Sequence, residues 1–323
     1  MADMTEAAQS NGGYVLPRPA VSVCIPTFNG ASWIREAIES ALAQGSSDLE
    51  VVVCDDASSD ETVALAGQVH DSRVRVVANR ERVGMARNWN RSVCESKGAH
   101  IKFLMQDDTL APGCVRRMLE VFKESPEIGL VFCGRDLALD EPDDPASMVF
   151  ARRFGGLHSR LGPLERVNDG RTLVAKMQRD RFRDNMIGEP TAVMVTREAL
   201  VKLGLFNVQL RQLTDLEMWL RIASSYRVGF IAEPLATFRV HANSASSLNE
   251  RSGSDWLDRV WLLEGLRTKA GVRVWLLTYA HAGKRLVGDG PRAMRPHLRE
   301  LGDYLRFRLR RRGGDTLHEP LAG

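Results

Sequence analysis

The stretch KFLMQDDTLAP, residues 102–112, contains an apolar run that stops at two adjacent carboxylates, Asp107 and Asp108. Pro112 follows, and an amphipathic run begins at Val115. Strand, acidic tip and helix, in that order, are how an α/β sheet presents charge at the carboxyl end of a strand, where ligands bind. Adjacent like charges repel. The pair is therefore tolerated either in a solvated turn or beside a divalent cation and an anionic ligand.

Upstream, the same alternation repeats. VSVCI (21–25) is broken by Pro26 and Asn29-Gly30, and residues 31–43 then place Trp33, Ile34, Ala37, Ile38 and Ala41 on one helical face. LEVVVC (49–54) ends at Asp55-Asp56, and Ser58, Ser59, Asp60 and Glu61 suit the start of a second helix. Residues 74–78 read as a third strand, 85–96 as a helix and 101–105 as the fourth strand. Continuous apolar strands separated by helices predict an α/β fold with a mainly parallel sheet covered on both faces. A helix from Val115 and a strand at 128–133 continue it. Residues 136–180 are polar and weakly periodic, with Pro142 and Pro145, and read as an insertion or loop with a helix near 170–178. A strand at 191–195, helices at 197–203 and 215–224, and a strand at 228–231 follow. From 255 to about 312 the pattern is helical.

The 323 residues, 44% hydrophobic, suffice for a large core domain with appendages. A net charge of +3 argues against nucleic acid as a partner. Between Lys284 and Arg312, ten Lys or Arg face Asp289, Glu300 and Asp303, a local balance of +7 that leaves the remainder at −4. The five cysteines show no metal-ligand spacing and are odd in number, which favours a reducing, cytoplasmic compartment. The first 20 residues read as a disordered leader without a signal-peptide pattern. No apolar run approaches the roughly 20 residues that span a bilayer. GxGxxG and GxxxxGK[ST] are both absent.

Seven motifs occur in order: VSVCIPTFNG (21–30), VVVCDDASSDET (51–62), GMARNWN (84–90), FLMQDDTLAP (103–112), GEPTAVMVTREALVKLGLFN (188–207), LTDLEMWLR (213–221) and LATFRVHANSASS (235–247). Together they resemble the family 2 glycosyltransferases, which have the GT-A fold. The resemblance implies a GT-A domain at 21–250, with a nucleotide-binding half at 21–135 and an acceptor and catalytic half at 136–250. A basic helical extension at 251–323 lies outside it.

By position in these motifs, the resemblance implies that Pro26, Thr27 and Asn29 line the nucleotide pocket. It implies that Asp56 reads the base with Asp55 beside it, and that Arg87 and Asn88 lie near the diphosphate or base. Asp107 and Asp108 correspond to the acidic metal motif, with Asp108 the direct ligand of Mg²⁺ or Mn²⁺. His241 would complete the metal or diphosphate site, and Arg239 would pair with a phosphate or a carboxylate. Asp215 matches the catalytic base, with Glu217 as runner-up. Two departures stand out: Met105 and Thr214 replace acids usual at those positions.

The implied activity is inverting transfer of a hexosyl or deoxyhexosyl group from a UDP-, dTDP- or GDP-sugar to a carbohydrate or lipid-linked acceptor, in polysaccharide or glycoconjugate biosynthesis. The implied location is cytoplasmic, with peripheral contact to the inner face of the membrane through the basic tail. Two alternatives remain open from the residues: a sugar-1-phosphate nucleotidyltransferase, which should show a Gly-, Arg- and Lys-bearing loop after the first strand, and a non-catalytic nucleotide-sugar-binding protein.

Overall fold

The computed structural model describes residues 19–46, 48–180, 182, 184–241, 244, 258 and 262. The expected leader lies outside the described residues except for 19 and 20, and the expected helical extension except for 258 and 262. The amino-terminal part alternates as expected: β1 (Val21–Thr27), α1 (Ile34–Leu42), β2 (Leu49–Asp55), α2 (Thr62–Gly67), β3 (Val74–Ala78), α3 (Met85–Glu95) and β4 (His100–Phe103). Then come β5 (Thr109–Leu110), α4 (Cys114–Phe122), β6 (Ile128–Leu139), α5 (Pro145–Phe154), β7 (Val167–Asn168), α6 (Gly170–Arg179), β8 (Val193–Thr196), α7 (Arg197–Leu203), α8 (Thr214–Ala223) and β9 (Arg227–Val240).

The strands form one mixed, mostly parallel sheet in the order β3-β2-β1-β4-β8-β6-β9-β5, with β7 beside β9. β3, β2, β1 and β4 are mutually parallel, and β8 is inserted antiparallel between β4 and β6. Side chains alternate across the sheet. On one face Val21, Val23 and Ile25 pack with Ile34 and Ile38 of α1 and Met118 of α4. On the other, Cys24, Ile101 and Phe103 pack with Trp89 and Val93 of α3 and Leu216 and Trp219 of α8. Flanking helices therefore bury both faces of the sheet, as in the GT-A fold.

Residues 136–180 differ from expectation. The loop-like Asp144-Pro145 pair is a helix start: Asp144 accepts from the Ser147 N–H at 2.9 Å, and Pro145 occupies a position whose N–H has no helical partner. The helix expected near 170–178 is α6, capped by Asp169. β6 and β9 are also longer than their apolar cores suggest. Both continue past a register shift at Gly134, where a Cβ would stand 2.5 Å from the Ala232 carbonyl oxygen. The junction at 135/136 between the two expected halves lies inside β6. Among the described residues no helix is long and apolar enough to cross a membrane.

Candidate active site

The chain runs from β1 outward to β2 and β3, then returns to place β4 on β1's other side. Strand order reverses between β1 and β4, so a crevice opens outside their carboxyl ends. Gln106, just past β4, spans it. Its Oε1 accepts from the Thr27 hydroxyl at 2.5 Å and the Phe28 N–H at 2.8 Å, while its Nε2 donates to the Phe28 carbonyl at 3.2 Å. Gly30 lies against this amide, where a Cβ would come within 2.4 Å of Gln106 Oε1.

The residues expected around the nucleotide cluster at these tips, and several serve the scaffold. Pro26 and Thr27 are buried at the end of β1. Asn29 is exposed with φ of 49°, and its side-chain oxygen accepts from the Ser59 N–H at 2.9 Å. Asp55 is buried and accepts from the N–H and hydroxyl of Ser58, at 2.8 and 2.5 Å. Asp56 is buried too. It accepts from Asn79 Nδ2 (2.9 Å), the Val83 N–H (2.8 Å) and the Gly84 N–H (2.9 Å), which ties down the loop before α3. Asn88 donates to the Cys54 carbonyl at 2.8 Å and so braces the strand tips. Arg87 is exposed on α3. Arg82 from the same loop lies over the Phe28 ring, 3.9 Å from its centroid.

The two carboxylates past β4 have different surroundings. Asp108 is 1% exposed, and both its oxygens are engaged: Oδ2 accepts from the Thr191 hydroxyl at 2.5 Å and Oδ1 from the Arg239 N–H at 2.9 Å. Burial, then the charge of Asp107, pushes its carboxyl well above the usual range. Asp107 is the more exposed acid, and its Oδ2 lies 3.0 Å from His241 Nε2. Asp108, expected as the direct ligand, gives one acceptor site on each oxygen to Thr191 and β9 and keeps a second lone pair on each. Carboxylate oxygens such as those of Asp107 suit Mg²⁺ or Mn²⁺. Asp107 and His241, in hydrogen-bond contact with each other, would be the side chains that hold such a cation. Among the described residues no third His, Cys, Asp or Glu joins them. Arg239 pairs with carboxylates, Glu36 at 2.8 Å and Asp140 at 3.3 Å.

Asp215 lies in the first turn of α8, half-buried. Its carboxylate accepts from Asn185 Nδ2 at 2.9 Å and from the Leu216 N–H at 2.7 Å. Burial outweighs these bonds and raises its pKa to about 7. Glu217 is committed elsewhere: it meets Arg221 at 3.0 and 2.8 Å, and Arg221 also donates to the carbonyls of Leu203, Gly204 and Leu205.

Residues 185–191 connect the two acidic centres, with Asn185 touching Asp215 at one end and Thr191 touching Asp108 at the other. Between them Glu189 forms a two-point pair with Arg135, whose Nη2 is 2.9 Å away. Lys102, fully buried, donates to the carbonyls of Thr191 and Val193 and fixes this turn from beneath. Gln106, Asn185, Glu189 and Arg135 escape the sequence reading. The available signals are the quoted motifs themselves: FLMQDDTLAP contains Gln106, and GEPT contains Glu189 and Thr191.

The model of glycosyl transferase family 2 matches residues 22–199. The chain is 33% identical to the protein MT1568 of Mycobacterium tuberculosis (strain CDC 1551 / Oshkosh), over 77% of this chain and 76% of that one. A second relative, the succinoglycan biosynthesis protein ExoO of Rhizobium meliloti (strain 1021), is 41% identical over 32% of this chain and 29% of its own length. Among solved structures, the mannosyltransferase PcManGT from Pyrobaculum calidifontis, in complex with GDP-Man and Mn²⁺, superposes with a TM-score of 0.54 at 20% identity, over 90% of this chain and 81% of that one. S. aureus TarS 1-349 with UDP-GlcNAc gives a TM-score of 0.57 at 16% identity, over 78% and 67%. Motif order, fold and family match agree: this chain is a glycosyltransferase and belongs to glycosyl transferase family 2, with the GT-A fold.

Proposed function

We propose that the protein transfers a hexosyl or deoxyhexosyl group from a nucleoside diphosphate sugar to an acceptor hydroxyl with inversion, with Asp215 as general base. The observation that carries this reading is the Asp215 carboxyl itself. It is oriented by Asn185 and has a pKa of about 7, near the value best suited to removing a hydroxyl proton at neutral pH. The acceptor oxygen attacks the anomeric carbon from Asp215's side as the diphosphate leaves from the other, so an α-linked donor gives a β-linked product. Departure of a diphosphate needs no proton, which distinguishes this site from the carboxylate pair of a glycosidase.

The donor would occupy the crevice at Thr27, Phe28 and Gln106, with its diphosphate toward Asp107 and His241. These two residues would hold Mg²⁺ or Mn²⁺, which when bound offsets the charge growing on the leaving group. The PcManGT complex with GDP-Man and Mn²⁺ and the TarS complex with UDP-GlcNAc support a nucleotide-sugar donor. ExoO supports a role in polysaccharide biosynthesis. The acceptor would be a carbohydrate or lipid-linked glycan on the side formed by 136–250, and the basic segment 284–312 would contact anionic membrane.

The test is donor consumption with and without Mn²⁺, in wild type and Asp215→Asn. Metal-dependent transfer that Asp215→Asn abolishes supports the reading. Donor binding with no turnover in wild type would favour the non-catalytic alternative.

A further inference from the structure

Helix α8 opens without a cap of its own. Leu213 holds the capping position and makes no side-chain hydrogen bond there. The N–H groups of residues 211–213, just before its first turn, find their acceptor elsewhere in the chain. Asp258, 45 positions after Leu213, supplies one. Its Oδ2 accepts from the backbone N–H groups of Arg211 (3.0 Å), Gln212 (2.5 Å) and Leu213 (2.9 Å), and its Oδ1 lies 3.1 Å from the Arg211 nitrogen. The residue is 2% exposed. Four positions on, Leu262 is buried in the same apolar cluster as Leu216 and Trp219 of α8. Both anchors lie beyond residues 22–199, the part that matches the family model.

We propose that Asp258 is a positioning residue for the transfer reaction. By gathering the N–H groups of residues 211–213, it sets the start of α8 and so the place of Asp215 in that helix's first turn. Asp258 and Leu262 then support the base site from further along the chain. This inference rests on the reading of Asp215 as general base. A carboxylate buried only for stability would lower the folded fraction when removed, without changing turnover per folded molecule. A positioning carboxylate lowers kcat while leaving donor binding alone, because the donor contacts lie at the tips of β1 and β4.

The test uses the full chain with Asp258→Ala and Asp258→Asn, which keeps one acceptor oxygen and covers the case in which the alanine variant fails to fold. Three quantities are read: amide hydrogen exchange at residues 211–213, affinity for nucleoside diphosphate in Mn²⁺, and kcat against donor KM. Exchange protection should be lost in Asp258→Ala. Turnover should fall about 10- to 100-fold, the scale of a small misplacement of a reacting group. Donor affinity should stay within about twofold, with Asp258→Asn intermediate in kcat. Unchanged protection, unchanged kcat, or equal loss of kcat and donor affinity would each overturn the inference. Asp215→Asn separates the two readings. If it is inactive while Asp258→Ala is fully active, only the Asp258 inference fails; if it is fully active, the base assignment itself fails.

Discussion

Asn185 donates its side-chain amide to the Asp215 carboxylate across 2.9 Å, from the same short segment that delivers the Thr191 hydroxyl to Asp108. One stretch of backbone thus sets the spacing between the acid proposed to activate the acceptor and the acidic tip of β4. Asn185 Nδ2 also reaches the Gly188 carbonyl at 2.8 Å, and the Trp219 indole donates to that same carbonyl at 3.1 Å. The segment is therefore braced against α8 itself.

Replacing Asp215 by Asn keeps the shape and removes the base. Turnover should drop about 100- to 10,000-fold, the usual contribution of general base catalysis, with nucleoside diphosphate affinity unchanged. Glu217→Gln should behave differently. It loosens Arg221, which braces the carbonyls of residues 203–205, so thermal stability should fall while kcat per folded molecule holds. Kinetics paired with melting curves check this, and the reverse pattern would move the base to Glu217.

The raised Asp215 pKa has two pH signatures. The acid limb of kcat/KM should show an apparent pKa near 7, because only the ionised carboxylate accepts a proton. Stability runs the other way. The folded pKa of about 7 lies above the ordinary aspartate value of 3.8, so the unfolded chain ionises first and the native state loses stability as pH rises between these values. Asp215→Asn lacks this loss. Denaturant titrations at pH 5 and pH 8 should show the variant gaining on wild type at the higher pH, and no relative gain would contradict the raised pKa of Asp215.

Much of this was legible in the sequence because β1 to β4 are mainly apolar strands, β1 and β2 almost continuously so, ended by turn residues. The physics that buries a parallel sheet on both faces writes that pattern directly. The second halves of β6 and β9 were not legible, since Arg135, Asp136, Glu233 and Pro234 interrupt the apolar run while the backbone continues to pair. Asp144-Pro145 has the composition of a turn as well as of a helix start, and only the Ser147 N–H distinguishes them. Asn185, Glu189 and Asp258 each meet a partner distant in the chain, Asp215, Arg135 and the N–H groups of residues 211–213, which no local pattern reveals. Lys102 resembles an interruption of a strand, yet its ammonium is satisfied by carbonyls across the sheet.

The two acids past β4 should separate in experiment. Asp107→Ala and His241→Ala should remove the strengthening of nucleoside diphosphate binding by Mn²⁺ with the fold intact. Asp108→Ala strips the acceptor from the Thr191 hydroxyl and the Arg239 N–H, and should cost about 1–3 kcal/mol of stability for the groups left unpaired. Isothermal titration with and without Mn²⁺, beside urea denaturation, checks both. Asp107→Ala with full metal dependence would return the ligand role to Asp108.

Asp56 holds three donors of the loop before α3, so Asp56→Ala should destabilise the fold by about 1–3 kcal/mol and weaken nucleotide binding together. Loss of binding at unchanged stability would instead mean that Asp56 acts on the ligand alone.

The most direct measurement of the central claim is the anomeric configuration of the product, read by proton NMR, with the donor chosen from a thermal-shift panel of nucleotide sugars in Mn²⁺. Wild type should give a product of configuration opposite to the donor, and Asp215→Asn should bind that donor and give almost none. A product that retains the donor's configuration, or undiminished transfer by Asp215→Asn, would contradict inverting transfer with Asp215 as its base.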